Sequence, residues 1–83
     1  MAIINDQIQV EVLGEVFSIR DNSGGEEVRK TSEYLNTQID ILKERYPSLT
    51  AKKLAVLAAF HLTDELMQVR KDYETLAQIL DKQ

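Results

Sequence analysis

The stretch that decides the fold runs from residue 51 to residue 83 and reads AKKLAVLAAFHLTDELMQVRKDYETLAQILDKQ. Residues 51–62 are apolar on almost every face of a helix, which requires protein on several sides. Apolar residues then recur at alternating spacings of four and three, the a/d rhythm of a coiled coil. They are Leu62, Leu66, Val69, Tyr73, Leu76 and Leu80, and Ala55 and Ala59 continue the register backward. The pattern predicts a long helix that associates with another copy of the chain, with the alanines allowing a close helix crossing.

Length and composition also favour self-association. The chain has 83 residues, no cysteine and a single histidine, so disulfides and thiolate metal sites are excluded. Small domains bury little surface and gain stability from disulfides, metal ions or oligomerisation. We therefore predict an obligate homo-oligomer. A seam this short leaves open dimer against tetramer, and parallel against antiparallel.

The charge pattern excludes some partners. The net charge is −4, and from residue 48 onward five acids balance five bases. Without a basic stripe, we predict neither a nucleic-acid nor a membrane partner. The chain begins without the regions typical of a signal peptide, and its longest apolar run, residues 54–60, is too short to span a bilayer. We expect a cytoplasmic location.

Residues 8–20 predict a β-hairpin with one apolar face. Apolar positions alternate with polar ones: they are Ile8, Val10, Val12, Phe17 and Ile19. Gly14 and Glu15 are predicted as the central residues of a type II′ turn. A lone hairpin is marginally stable, so it must pack on a helix or on a partner's sheet.

Residues 25 to about 45 predict a medium helix with one apolar stripe. Ser23 and Glu26 fit a capping box at its start, and Pro47 ends it. Thr50 is the predicted N-cap of the long helix that begins at residue 51. The fold class is α+β, with a globular head at residues 1–61 and a coiled-coil tail at 62–83.

No group of residues predicts catalysis. His61 lies in an apolar helical stretch, where a structural role is the better interpretation than a metal or catalytic one. Gly24-Gly25 lacks the spacing of a phosphate-binding loop. We predict a protein that is not an enzyme and uses no cofactor or metal ion.

The short connection between the helices brings basic residues together. Lys43 and Arg45 end the first helix and Lys52 opens the second, which predicts a small basic corner. Two interpretations stay open: a solvated helix end and a binding surface.

The order of these elements resembles the bacterial cell-division protein family ZapA. The resemblance extends from Gln9 to about Arg70, and its most specific parts are the stretch VEVLG at residues 10–14 and KLAVLAA at 53–59. It implies a non-enzymatic, dimeric or tetrameric factor that binds filaments of the tubulin-like protein FtsZ. Such a factor cross-links the filaments and promotes assembly of the division ring at midcell.

The resemblance also implies that the head contacts the filament. The residue after the hairpin glycine is commonly basic in the family, but it is Glu15 here, and His61 stands where the family often has Asn. The candidate contact residues are Glu15, Arg20, Lys43, Arg45 and Lys52. The alternative function is a generic coiled-coil adaptor or small regulatory protein with another protein partner.

Overall fold

The computed structural model describes residues 7–82, which form two strands and two helices. Strand β1 spans Gln7–Val12 and strand β2 spans Glu15–Arg20. Helix α1 spans Glu26–Arg45 and helix α2 spans Ala51–Asp81. The predicted α+β class is confirmed. The outer limits predicted for the head and tail, residues 1 and 83, lie outside the described residues.

The hairpin has its turn one residue earlier than predicted. The antiparallel strands pair Val10 with Phe17, and the two residues that join them are Leu13 and Gly14. Both have positive φ, 53° and 80°, which is typical of a type I′ turn. The predicted type II′ turn at Gly14-Glu15 is therefore wrong, and it would have paired Val12 with Phe17 instead.

The start of α1 also differs from the predicted capping box. The N-cap is Gly25, with φ 87° and no side-chain capping bond. Ser23 instead donates to Asp21: its backbone N lies 2.9 Å from Asp21 Oδ1, and its hydroxyl bonds to the same oxygen. A Cβ on Gly25 would lie 2.5 Å from Ile8 Cδ1, so the absence of a side chain lets the helix start approach β1.

The connection between the helices follows the prediction. Helix α1 ends before Pro47, and the backbone N of Tyr46 donates to Leu42 O at 2.8 Å. The Thr50 side chain caps α2 by accepting from the Lys53 backbone N at 3.3 Å. These bonds close the ends of both helices within a few residues of each other.

The core is small and lies where the second half of α1 crosses the first half of α2. Its buried members are Ile39, Leu42, Leu54 and Ala58. Val12, Leu13, Leu35, Leu49 and Leu57 pack against it and are partly buried. The hairpin rests on α1, where Asn36 Nδ2 donates to Glu11 O at 2.9 Å. The predicted apolar stripe of α1 thus meets α2 with its C-terminal half.

The remainder of α2 extends away from the head and is exposed to solvent. Every described residue from Thr63 to Lys82 is exposed. The radius of gyration is 17.4 Å, against about 12 Å for a compact domain of this length. No helix among residues 7–82 is both long and apolar enough to cross a membrane.

The core predicts unequal costs for two truncations. Leu54 is 2 % exposed, so Leu54→Ala should lower the free energy of unfolding by about 2–5 kcal/mol. Ile41 is 49 % exposed, and Ile41→Ala should cost less than about 1 kcal/mol. Urea denaturation measures both at one fixed protein concentration, because the predicted self-association would make stability depend on concentration. Equal costs would contradict this assignment of the core.

Candidate functional site

Four of the five predicted contact residues lie at one end of the head. Lys43 and Arg45 occupy the last turn of α1, and Lys52 lies in the first turn of α2. The hairpin turn reaches the same end, where Glu15 begins β2. The short connection between the helices places Lys43, Arg45 and Lys52 at this end of the head, and the hairpin turn places Glu15 there.

A cleft of about 350 Å³ separates the hairpin turn from α2. Glu15 and Lys52 both line it, together with the apolar side chains of Leu13 and Ala55. An acid and a base therefore face the same space. Glu15, which stands where the resemblance implies a basic residue, has Lys52 across the cleft.

Lys43 lies on the other side of the hairpin turn, in a second cleft of about 350 Å³. Glu11 and Asp40 line this cleft as well, so the end of the head is of mixed charge. The prediction of a basic corner rested only on the residues at the helix ends. The structure adds the acids of β1 and α1.

Arg20 lies apart from this group. It is the last residue of β2 and pairs with Gln7, at the end of the hairpin opposite the turn. With about 3.3 Å per strand residue, the five steps from Glu15 place it about 17 Å away. A partner that contacts Glu15 and Lys52 would reach Arg20 only if it covered the whole length of the hairpin.

The predicted seam residues have little cover within one chain. Their exposed fractions in the tail are 50 % at Leu66, 63 % at Val69, 73 % at Tyr73, 55 % at Leu76 and 61 % at Leu80. Ala55 and Ala59 are also exposed, and Leu62 is half-buried. The alanine buried against α1 is Ala58, so the two seam alanines stay available to a partner.

Two side-chain pairs join α1 to α2 at the base of the tail. The Tyr34 hydroxyl donates to the Glu65 carboxylate, with O–O distances of 2.7 and 2.9 Å. His61 Nε2 lies 3.0 Å from Gln38 Oε1 and 4.0 Å from Glu65 Oε2. His61 thus has the hydrogen-bonded structural role predicted for it. We call these four residues the helix clamp.

The helix clamp changes the acidity of Tyr34. Hydrogen bonding to Glu65 is the largest cause, followed by desolvation and by the charge of the carboxylate. Together they raise the pKa of Tyr34 above its ordinary value of 10.0. A neutral hydroxyl donates to a carboxylate, whereas a phenolate would repel it, so the protonated form is favoured.

Two apolar surfaces were missed by the sequence analysis. One is an open groove of about 490 Å³ between the hairpin and α1, lined by Val10, Phe17, Ile19, Val28 and Leu35 among others. The other is a groove of about 450 Å³ on α2, lined by Val56 and Phe60. The four-residue spacing of Val56 and Phe60 is a sequence signal that could have shown the second.

Among residues 7–82, no group of three or more His, Cys, Asp or Glu side chains is placed to hold a metal ion. The features that distinguish the chain are a charged end, an exposed apolar seam and the geometry of a hairpin packed on crossed helices.

A family model and several curated proteins match most of the chain. The family model described as "Cell division protein ZapA" matches residues 8–83. The chain belongs to the ZapA family. Membership supports a role in cell division and septation, and the name describes a division factor rather than an enzyme. No solved structure gave a significant match to the chain.

Curated ZapA proteins from several bacteria resemble the chain over most of its length. The protein from Shouchella clausii (strain KSM-K16) is 31 % identical over 65 residues, which cover 78 % of this chain and 83 % of the relative. The one from Geobacillus sp. (strain WCH70) is 23 % identical, covering 93 % and 88 %. The one from Bacillus thuringiensis (strain Al Hakam) is 24 % identical, covering 92 % and 85 %. All three are cell division proteins ZapA by name.

The helix clamp predicts a pH dependence. In Glu65→Gln the charged acceptor is gone, so the pKa of Tyr34 should fall back toward 10.0. Because the folded-state pKa is raised, the stabilisation is complete below pH 10 and is lost as the pH rises through the raised pKa. NMR titration of the Tyr34 ring measures this in both proteins, and an unchanged pKa in Glu65→Gln would contradict the clamp.

Proposed function

We propose that this ZapA-family protein binds FtsZ filaments in the cytoplasm and cross-links them as a homodimer, which promotes assembly of the division ring at midcell. The family match supports the role in cell division. The observation that supports cross-linking is the exposed seam of α2, because an apolar stripe that residues 7–82 leave exposed favours pairing with another helix.

Cross-linking follows from symmetry. A dimer carries two copies of one filament-binding head, so it holds two filament subunits at once. Each contact can be weak, because the second binding event is intramolecular and is favoured by a high effective concentration. The tail fixes the distance between the two heads, and a pairing of dimers into tetramers would add further heads.

Binding and association use different parts of the chain in this proposal. The filament contact is assigned to the charged end formed by Glu15, Lys43, Arg45 and Lys52, while the tail supplies the seam. Arg20, at the other end of the hairpin, contributes at most to a separate contact. The two functions should therefore be separable by substitution.

The first experiment is co-sedimentation with FtsZ from the same organism, polymerised with GTP, with light scattering recorded in parallel. Co-pelleting with increased scattering supports both binding and cross-linking. A folded dimer that neither pellets nor scatters would instead support the generic coiled-coil adaptor, whose partner is another protein.

A broken seam should abolish bundling. Leu66→Asp with Val69→Asp places two charges in the seam, where their desolvation opposes helix pairing. We expect a monomer by analytical ultracentrifugation and a loss of the FtsZ-dependent scattering increase. Met67→Asp with Gln78→Asp adds the same charge outside the seam and should bundle normally. Undiminished bundling by the monomeric variant would refute cross-linking by the dimer.

Charge reversal at the head should weaken filament binding without changing the dimer. Lys43→Glu, Arg45→Glu and Lys52→Glu together should lower the apparent affinity for filaments by about tenfold or more. Raising the salt should weaken the wild-type contact as well, because exposed charges are screened within about 10 Å at 0.1 M.

The control reverses the same number of charges elsewhere: Arg29→Glu, Lys71→Glu and Lys82→Glu. This variant has the same net charge and should retain most of its filament binding in co-sedimentation. Equal losses in both variants would assign the effect to net charge alone. Unchanged binding by the Lys43, Arg45 and Lys52 variant would favour the interpretation that these residues form only a solvated helix end.

A further inference from the structure

A third stripe of α2 carries a groove that neither the core nor the seam uses. Successive helix positions are rotated by about 100°, so the pairs Leu54/Ala58, Ala55/Ala59 and Val56/Phe60 divide the circumference between them. The first pair is buried against α1, and the second belongs to the predicted seam. The third pair is rotated by about 100° from the seam, so Val56 lies at the edge of the contact with a partner helix and Phe60 lies outside it.

The groove on this stripe is lined largely by apolar side chains. Val56 is 52 % exposed and Phe60 is 69 % exposed. Leu49 and Leu57 complete the walls around a volume of about 450 Å³. An exposed Phe beside an open apolar groove is costly to leave in water, and such patches mark interaction sites.

The charged residues that line the groove are all cations. Lys52 and Lys53 line it, and no acid does. The first turn of α2 contains no acidic residue, although acids are the favoured charges there and cations are disfavoured. Within residues 7–82 neither lysine forms an ion pair. Glu15 faces Lys52 only across the adjoining cleft, so among residues 7–82 the groove itself has an excess of positive charge.

We infer that this groove holds an acidic segment of the filament subunit that carries a large apolar side chain. The apolar side chain packs against Val56 and Phe60, and flanking carboxylates face Lys52 and Lys53. The inference rests on the proposed function and adds the chemistry of the contact. Charge complementarity favours this acidic occupant over a second copy of the chain. A second copy would pack on the seam, which lies about 100° away around the helix.

Substitutions separate the two parts of the contact. Phe60→Ser removes the apolar wall at an exposed position and should weaken filament co-sedimentation by about 5- to 30-fold. Lys52→Glu with Lys53→Glu should weaken it by a similar factor and reduce its salt dependence. Met67→Ser is the matched control, because Met67 is 58 % exposed on α2 but does not line the groove.

Photo-crosslinking tests the identity of the occupant. With p-benzoylphenylalanine in place of Phe60, irradiation on FtsZ filaments should attach the chain to one FtsZ segment. Mass spectrometry should find at least two Asp or Glu within about five residues of the attachment point, because the lysines lie about 11–12 Å along the helix from residue 60. The same amino acid in place of Met67 should give markedly less product.

The outcomes distinguish this inference from the proposed function. A wild-type chain that does not pellet with filaments would overturn both. Wild-type pelleting with undiminished binding by Phe60→Ser would overturn the groove and leave the proposed function standing. Attachment to a second copy of the chain, or to a basic FtsZ segment, would also overturn it.

Discussion

One small contact holds the chain together: the crossing of the second half of α1 with the first half of α2. Ile39, Leu42, Leu54 and Ala58 are its buried members, and Val10 is the buried hydrophobic residue of the hairpin. Fixing the backbone of one residue costs about 1–2 kcal/mol, so a core of this size leaves little margin for a chain of 83 residues. In the proposed dimer, burial of the exposed seam would add directly to that margin and would link association to folding.

The same crossing sets the direction of the tail. Core contacts fix α2 near its start, and the helix clamp fixes it again where Tyr34 meets Glu65 and Gln38 meets His61. Two attachment points along one helix define a direction, which a single point does not. The paired residues are 31 and 23 positions apart in sequence, and their meeting follows from the crossing of the helices. Periodicity alone predicts each helix but not which polar side chains meet between them.

The elements that the sequence predicted well are those whose signals are local. Alternation and apolar stripes reflect burial on one face, and they predicted both strands and both helices. The two errors lie where the backbone has positive φ. Leu13 adopts a conformation that its residue type disfavours, which moves the turn by one residue. Ser23 bonds to Asp21, so Gly25 begins α1 without a side-chain cap. The charged end was predictable because a short connection must bring helix ends together, whereas the acids of the hairpin reach it only through tertiary packing.

The relative direction of two paired tails decides what the dimer would do to filaments. From Leu62 to Asp81 the tail rises about 29 Å, at 1.5 Å per residue. Parallel pairing places two heads side by side at one end, so their binding surfaces hold neighbouring subunits or closely apposed filaments. Antiparallel pairing places the heads at opposite ends, separated by at least the tail's length. In either arrangement α2 would act as a straight spacer between the heads, because it contains no proline or glycine at which it would bend. A spacing much wider than one tail therefore requires further association of dimers.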